Sequence, residues 1–171
     1  MKAQTLNTNN MELKPYDLTQ GTKNLDVISE ITVSYRPEVS PNDRIRIETA
    51  KDAYEILRQT WDSGKILFVE EFKILHINAG NRAIGLQYVS MGGMDQTGVD
   101  IRVIMATALK SCARGLIIAH NHPSGKLNPS EADLKITKEI NKACKLLGLK
   151  LMDHIIVTDT DFYSFKNHGL L

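Results

Sequence analysis

Cysteine is scarce in this chain of 171 residues: there are two, Cys112 and Cys144, with no C-x-x-C spacing between them. That usage excludes a disulfide scaffold and suits a reducing cytoplasm, with both thiols expected as small core residues. Charge of one sign is also lacking. The formal net charge is +1 and the pI is near 7.8, so no global basic field attracts nucleic acid, and no local basic patch stands out in its place. Long apolar runs are absent too. None approaches the ~18 residues of a membrane span, and the opening MKAQTLNTNN has no apolar signal region. The expectation is a cytoplasmic protein with no membrane partner. A phosphate loop is missing as well, because the Gly-rich Ser90 to Gly98, SMGGMDQTG, does not fit G-x-x-x-x-G-K-[ST]. It reads instead as a turn bordering a groove.

What is present fits one domain preceded by an arm. Met1 to about Glu30 is polar, with apolar residues too scattered for a helix or strand. Ile31 to Tyr35 alternates as a candidate edge strand before Pro37 and Pro41 break the chain. Residues 1–43 are therefore taken as a flexible N-terminal arm and 44–171 as the domain. Thr49-Ala-Lys-Asp52 opens a helix with Ala53, Ile56, Leu57 and Trp61 inward, closed by Gly64; Trp61 is read as core. Lys65 to Ile77 reads as a strand joined through Asn78-Ala-Gly-Asn81 to a second strand, Ala83 to Val89. Asp100 begins a helix with Val103, Ile104, Ala108 and Cys112 inward and Arg102 on the surface. The last strand is expected at Lys150 to Thr158. Helix, hairpin, helix, strand, helix, strand implies an α/β fold, a mixed β-sheet flanked by helices, with its site at a strand end.

The chemistry concentrates in Leu116 to Asp133, LIIAHNHPSGKLNPSEAD. Leu116 to Ala119 is a short buried strand that ends at Pro123. In an extended chain His120 and His122 share a side, their Cα atoms roughly 6.5 to 7 Å apart, while Asn121 faces the other way. Asn128 as N-cap and Pro129 at the first helical position would put Ser130 and Asp133 one turn apart, and Ser124 to Leu127 would fold that face back. Two imidazoles and a carboxylate with a fourth position for water is the ligand count of a catalytic zinc site. A competing reading makes Ser130-x-x-Asp133 a capping box with no chemistry. The helix runs on with Ile136, Ile140, Ala143 and Leu147 inward and stops at Gly148.

His120-Asn121-His122-Pro123-Ser124-Gly125, Pro129-Ser130 and Asp133 together resemble the JAMM (MPN-plus) metalloprotease motif in the form carried by the RadC family. The likeness covers roughly Arg44 to Leu171. It extends to Ser90-Met-Gly-Gly, Leu151-Met152-Asp153-His154 and Tyr163-Ser164-Phe165. It implies a JAMM-like α-β-α sandwich, one zinc ion on His120, His122 and Asp133, Ser130 as donor to a tetrahedral intermediate, and an upstream glutamate as general base. Longer RadC proteins carry a helix-hairpin-helix region before this domain; no stretch here resembles one, which weakens an inherited claim of DNA binding and leaves nucleic acid as a partner that the charge does not support.

Two glutamates compete for the base. By period-two alternation Glu70 shares a face with Phe68, Phe72 and Ile74, whereas Glu71 shares one with Lys73. Apolar surroundings favour a carboxylate able to take a proton near neutral pH, so Glu70 is selected, and the resemblance agrees. Asp153 or a nearby carbonyl is expected to orient the site, beside a structural reading of His154. His76 reads as a sheet residue, and Ser164 and His168 as lining the cleft or ending the fold. The function expected is a zinc-dependent peptidase or isopeptidase acting on a peptide or protein. The alternative is a metal-stabilised binding or scaffold module of DNA repair or mobile elements. Metal-assisted phosphodiester cleavage is disfavoured, because nucleases commonly need a second cation.

Overall fold

Thr49 starts the first helix, α1 (Ala50–Gln59), through a capping box: its hydroxyl accepts from the Asp52 amide at 3.2 Å, and the Asp52 carboxylate accepts from the Thr49 amide at 2.8 Å. The computed structural model describes residues 34–92 and 98–171. The first 33 residues, which hold most of the arm and positions 31–33 of the candidate edge strand, lie outside the described residues, as do positions 93–97 of the Gly-rich loop. Ser34 and Tyr35 belong to no strand.

After α1 come β1 (Glu71–Ile77), β2 (Ala83–Met91), α2 (Ile101–Lys110), β3 (Gly115–Asn121), α3 (Glu131–Leu146), β4 (Lys150–Val157) and β5 (Phe162–Ser164). β1 and β2 form the expected hairpin. Its turn is held by Asn78 Oδ1, which accepts from the amides of Gly80 and Arg82 at 2.9 and 3.0 Å. The sheet order is β2-β1-β3-β4-β5. β3 runs antiparallel to β1 and parallel to β4, so the sheet is mixed and β3 lies in its interior. Every residue of β3 is buried, which fits the apolar run before His120.

Alternation along the strands divides the core. Leu75, Ile77, Ile117, Ala119, Ile155 and Val157 pack with Ala53, Leu57 and Trp61 from α1 and the turn after it. On the opposite face Phe72, Ile74, Leu116 and Ile118 pack with Ile104 and Ala108 of α2 and Ile140 and Cys144 of α3. The sheet is thus covered on both sides, as an α/β fold requires. At Gly115 a Cβ would lie 2.8 Å from Met152 Sδ and 3.0 Å from the Lys150 carbonyl, so the absence of a side chain lets β3 and β4 come together. Among the described residues no helix is long and apolar enough to cross a membrane.

Several local expectations are corrected. Residues 65–68 are turn, 69 and 70 are irregular, and the strand begins at Glu71. The amides of Lys65 and Ile66 both bond the Asp62 carbonyl, and those of Phe68 and Val69 both bond that of Lys65, so these backbone groups are satisfied locally. Leu67 and Phe68 are 58% and 71% exposed, so apolarity there signals no burial. α1 ends at Gln59 with Thr60 as its cap, before Gly64. α2 buries Ile104, Met105 and Ala108, while Val103 is exposed; apolar residues occur all around this helix, and only packing selects the inner stripe. Cys112 lies past the helix end at φ 53° and is exposed, in contrast to buried Cys144. Ser90 and Met91 extend β2 into the stretch read as a turn, pairing with Phe72 and Glu71. α3 is capped by Ser130 rather than Asn128, and its Leu147 is 40% exposed.

Candidate metal centre

Strand parity places the two neighbours at the end of β3 on opposite faces. His120 is on the α2/α3 side with Phe72, its ring parallel to that phenyl and 6.1 Å away, and Asn121 is on the α1 side. His122 sits one step past the strand, where its amide still bonds the Val157 carbonyl at 3.0 Å. A tight turn follows, with Gly125 at φ 73°, and brings the Lys126 carbonyl back to His122 Nδ1 at 2.6 Å.

α3 then delivers the carboxylate. Asp133 Oδ2 accepts from both the amide and the hydroxyl of Ser130, each at 2.7 Å, and Ser130 Oγ accepts from the Asp133 amide at 3.2 Å. The capping box is real, and it does not compete with the ligand reading. Asp133 Oδ1 lies 3.1 Å from His120 Nε2, and Oδ2 lies 3.5 Å from His122 Nε2. The cap fixes the carboxylate so that it faces the imidazoles. His120, His122 and Asp133 offer ligand atoms that all lie within 4.8 Å of one another.

The donor chemistry fits a cation. A backbone carbonyl only accepts, so His122 Nδ1 donates to Lys126 and the neutral ring presents a bare Nε2. His120 Nε2 lies 2.9 Å from that atom, a separation at which either a hydrogen on His120 or a cation must stand between the two nitrogens and beside the carboxylate. Burial disfavours charge on Asp133, but His120 and His122, whenever they carry a proton toward it, together with the Ser130 hydroxyl, prevail and hold the carboxyl well below the usual range. Burial likewise disfavours a charged His122, yet Asp133, the Lys126 carbonyl and Glu70 together raise its pKa above the ordinary value. A proton therefore competes for the His122 lone pair at a higher pH than at an ordinary histidine. Divalent-metal affinity is expected to fall about tenfold per pH unit below that raised pKa, because binding displaces one proton. Calorimetric titration with Zn2+ across the neutral range checks this, and pH-independent affinity would contradict it.

Glu70 is half-buried where the turn meets β1, and with Phe72, His122, Ser130 and Asp133 it lines a cleft of roughly 480 Å³. Glu71 points to the other side of the sheet and pairs with Lys73 at 2.9 Å, as strand parity predicts. Lys73 is fully buried there. It donates to the Thr60 carbonyl at 2.9 Å and lies 3.9 Å from the centre of the Trp61 ring. Asn121 joins the two sides. Its amide nitrogen donates to the carbonyls of Ile66 and Val69 at 2.7 and 2.8 Å. Its oxygen accepts from Trp61 Nε1 at 2.9 Å and from the Glu71 amide at 2.7 Å. The residue between the two histidines thus clamps the turn that presents Glu70. The sequence places Asn121 on the far face, but nothing in it names these partners.

The orienting group next to the site is His154, not Asp153. His154 Nε2 lies 2.8 Å from His120 Nδ1, and His154 Nδ1 lies 2.6 Å from Thr137 Oγ1. Complete burial, followed by the charge of His120, pushes the His154 pKa well below its ordinary value. Asp153 faces the α1 side, where it accepts from Ser164 Oγ at 2.6 Å and from the Lys166 amide at 3.0 Å; Ser164 therefore ties down the end of the fold. His168 stacks on Tyr163 with ring centres 3.9 Å apart. His76 is a buried sheet residue bonded to Ser111 and Gln87. Thr137 gave no signal beyond its place one helical turn after Asp133.

Comparison with known proteins agrees with this architecture. A family model described as RadC-like JAB domain matches residues 47–170. The UPF0758 protein of Flavobacterium johnsoniae is 42% identical over 125 residues, covering 73% of this chain and 53% of that protein. The UPF0758 protein of Chlorobium chlorochromatii is 33% identical over 152 residues, covering 88% of this chain and 66% of its own length. That of Aquifex aeolicus is 31% identical over 166 residues, covering 94% and 70%. The chain thus spans about half the length of the first relative and just under two thirds of the second.

Proposed function

This chain belongs to the RadC-like JAB domain family, and from that premise we propose that it is a metallohydrolase, a peptidase or isopeptidase of the JAMM type that takes one zinc ion and acts on a peptide or protein. The observation that carries the reading is the convergence of His120 Nε2, His122 Nε2 and Asp133 on one point, beside a cleft that Glu70 also lines. A divalent cation held by those three groups would supply Lewis acidity toward a water and a carbonyl oxygen.

The remaining work falls to the chain's own residues. Glu70 takes a proton from the attacking water as its oxygen bonds the carbonyl carbon, and returns that proton to the nitrogen as the C–N bond breaks. Ser130 holds Asp133 through two hydrogen bonds to Oδ2, and its hydroxyl must turn away from the carboxylate before it can donate to an oxyanion. Phe72 and Ile136 give the cleft apolar wall, which limits water around the reacting groups.

The test measures bound metal and cleavage of peptide-linked and isopeptide-linked substrates for the wild type and Asp133→Asn. The expected result is one zinc per wild-type chain, none in the variant, and cleavage that requires metal. Metal-free wild type from every zinc-supplemented preparation would end the proposal. Bound zinc without cleavage of either substrate class would favour the scaffold role.

A further inference from the structure

We infer that Thr137 and His154 are positioning residues for the metal centre: a one-directional hydrogen-bond relay, from His120 through His154 and Thr137 to the Asp133 carbonyl, fixes the tautomer in which His120 Nε2 is bare. The inference rests on the proposed reading only for its link to metal; the relay itself is a property of this chain's hydrogen bonds.

The direction follows from counting protons. The Thr137 hydroxyl has one hydrogen and bonds the Asp133 carbonyl, which can only accept. The contact between Thr137 Oγ1 and His154 Nδ1 must then be donated by the ring. His154 is fully buried, stacked on Phe165 with ring centres 4.4 Å apart and tilted against Phe72 at 6.0 Å. Of the described residues, only Thr137 and His120 bond its ring nitrogens. In a neutral ring that donates from Nδ1, Nε2 is an acceptor, so at the next contact His120 Nδ1 is the donor. His120 Nε2 is left with its lone pair pointing at Asp133 and His122.

Without the relay either His120 nitrogen can carry the hydrogen, and a ring protonated at Nε2 cannot ligate through that atom, the one that faces Asp133 and His122. The relay also closes on itself. It starts at one ligand and ends on the backbone of another, so the position of α3 and the tautomer of His120 are set together. His122 reaches the same state by a simpler route, through the Lys126 carbonyl.

Long-range 1H–15N correlation spectra of the metal-free wild type read the tautomers directly. The expected pattern is hydrogen on Nδ1 of both His120 and His154 at a pH where both rings are neutral. Zinc competition against a chelator supplies a second readout. Thr137→Val keeps the shape and removes the acceptor, so its Kd for zinc should rise roughly 10- to 100-fold, with His120 shifted toward the Nε2–H form, while Thr137→Ser restores wild-type values. His120 found as the Nε2–H tautomer in the wild type, or wild-type zinc affinity in Thr137→Val, would overturn the inference. Should the wild type bind no zinc, the metallohydrolase reading fails, and the spectra still decide the relay.

Discussion

Replacement of Glu70 by Gln is expected to leave zinc bound and lower turnover by roughly 10²- to 10⁴-fold, the contribution usual for a positioned general base. The substitution is nearly isosteric and touches none of the three ligand atoms that converge at His120, His122 and Asp133, so stoichiometry should stay at one ion per chain. Glu70 is among the groups that raise the His122 pKa; its neutralisation lowers that pKa and shifts proton competition to lower pH. The decisive comparison sets kcat against bound metal in the same samples. Loss of both together would make Glu70 a metal-retention residue, and unchanged kcat would remove it from the mechanism.

Asn121→Ala should be strongly destabilising. Four groups lose their partner at once, the carbonyls of Ile66 and Val69, the Glu71 amide and the Trp61 indole N–H. A buried polar group left unsatisfied costs about 1–3 kcal/mol, and with partial rehydration of the turn a total near ~3–5 kcal/mol is expected in urea unfolding. Function should fail unevenly. His120 lies on the other face of β3, so zinc affinity should change little in molecules that remain folded, whereas kcat should fall because Glu70 loses its fixed approach. A loss below ~1 kcal/mol would show that water replaces the clamp.

Much of the site was legible because it depends on short-range geometry. Alternation in β3 put His120 and His122 on one side and Asn121 on the other, and in β1 it paired Glu71 with Lys73. Glu70 precedes the strand and does not share a strand face with exposed Phe68, so its place at the cleft is set by the turn. At Ser130 and Asp133 two readings were weighed as rivals, although a carboxylate has lone pairs enough to serve a cap and face two imidazoles together. What stayed hidden depends on register between distant segments. The stretch at 65–70 looks like strand because its apolar residues resemble one, and Asn121, which secures it, lies some fifty positions along the chain. The choice of Asp153 over His154 failed for a similar reason. The parallel pairing of β3 with β4 sets His154 opposite Ile118, on the face of His120, and no local pattern reveals which strands adjoin or in which phase.

The placement of β3 between β1 and β4 has a bearing on how the protein is made. As the chain leaves the ribosome, His120, His122 and Asp133 emerge before β4, so for an interval the three candidate ligands are in solution without the strand that completes their surroundings. A cation met during that interval would encounter imidazoles free to rotate and would be expected to exchange quickly. If the proposed ion is bound, durable capture would wait until translation has passed Val157, the end of β4, and the sheet has closed. On the proposed reading, metal loading would then be a late event in biogenesis and a marker of a finished molecule.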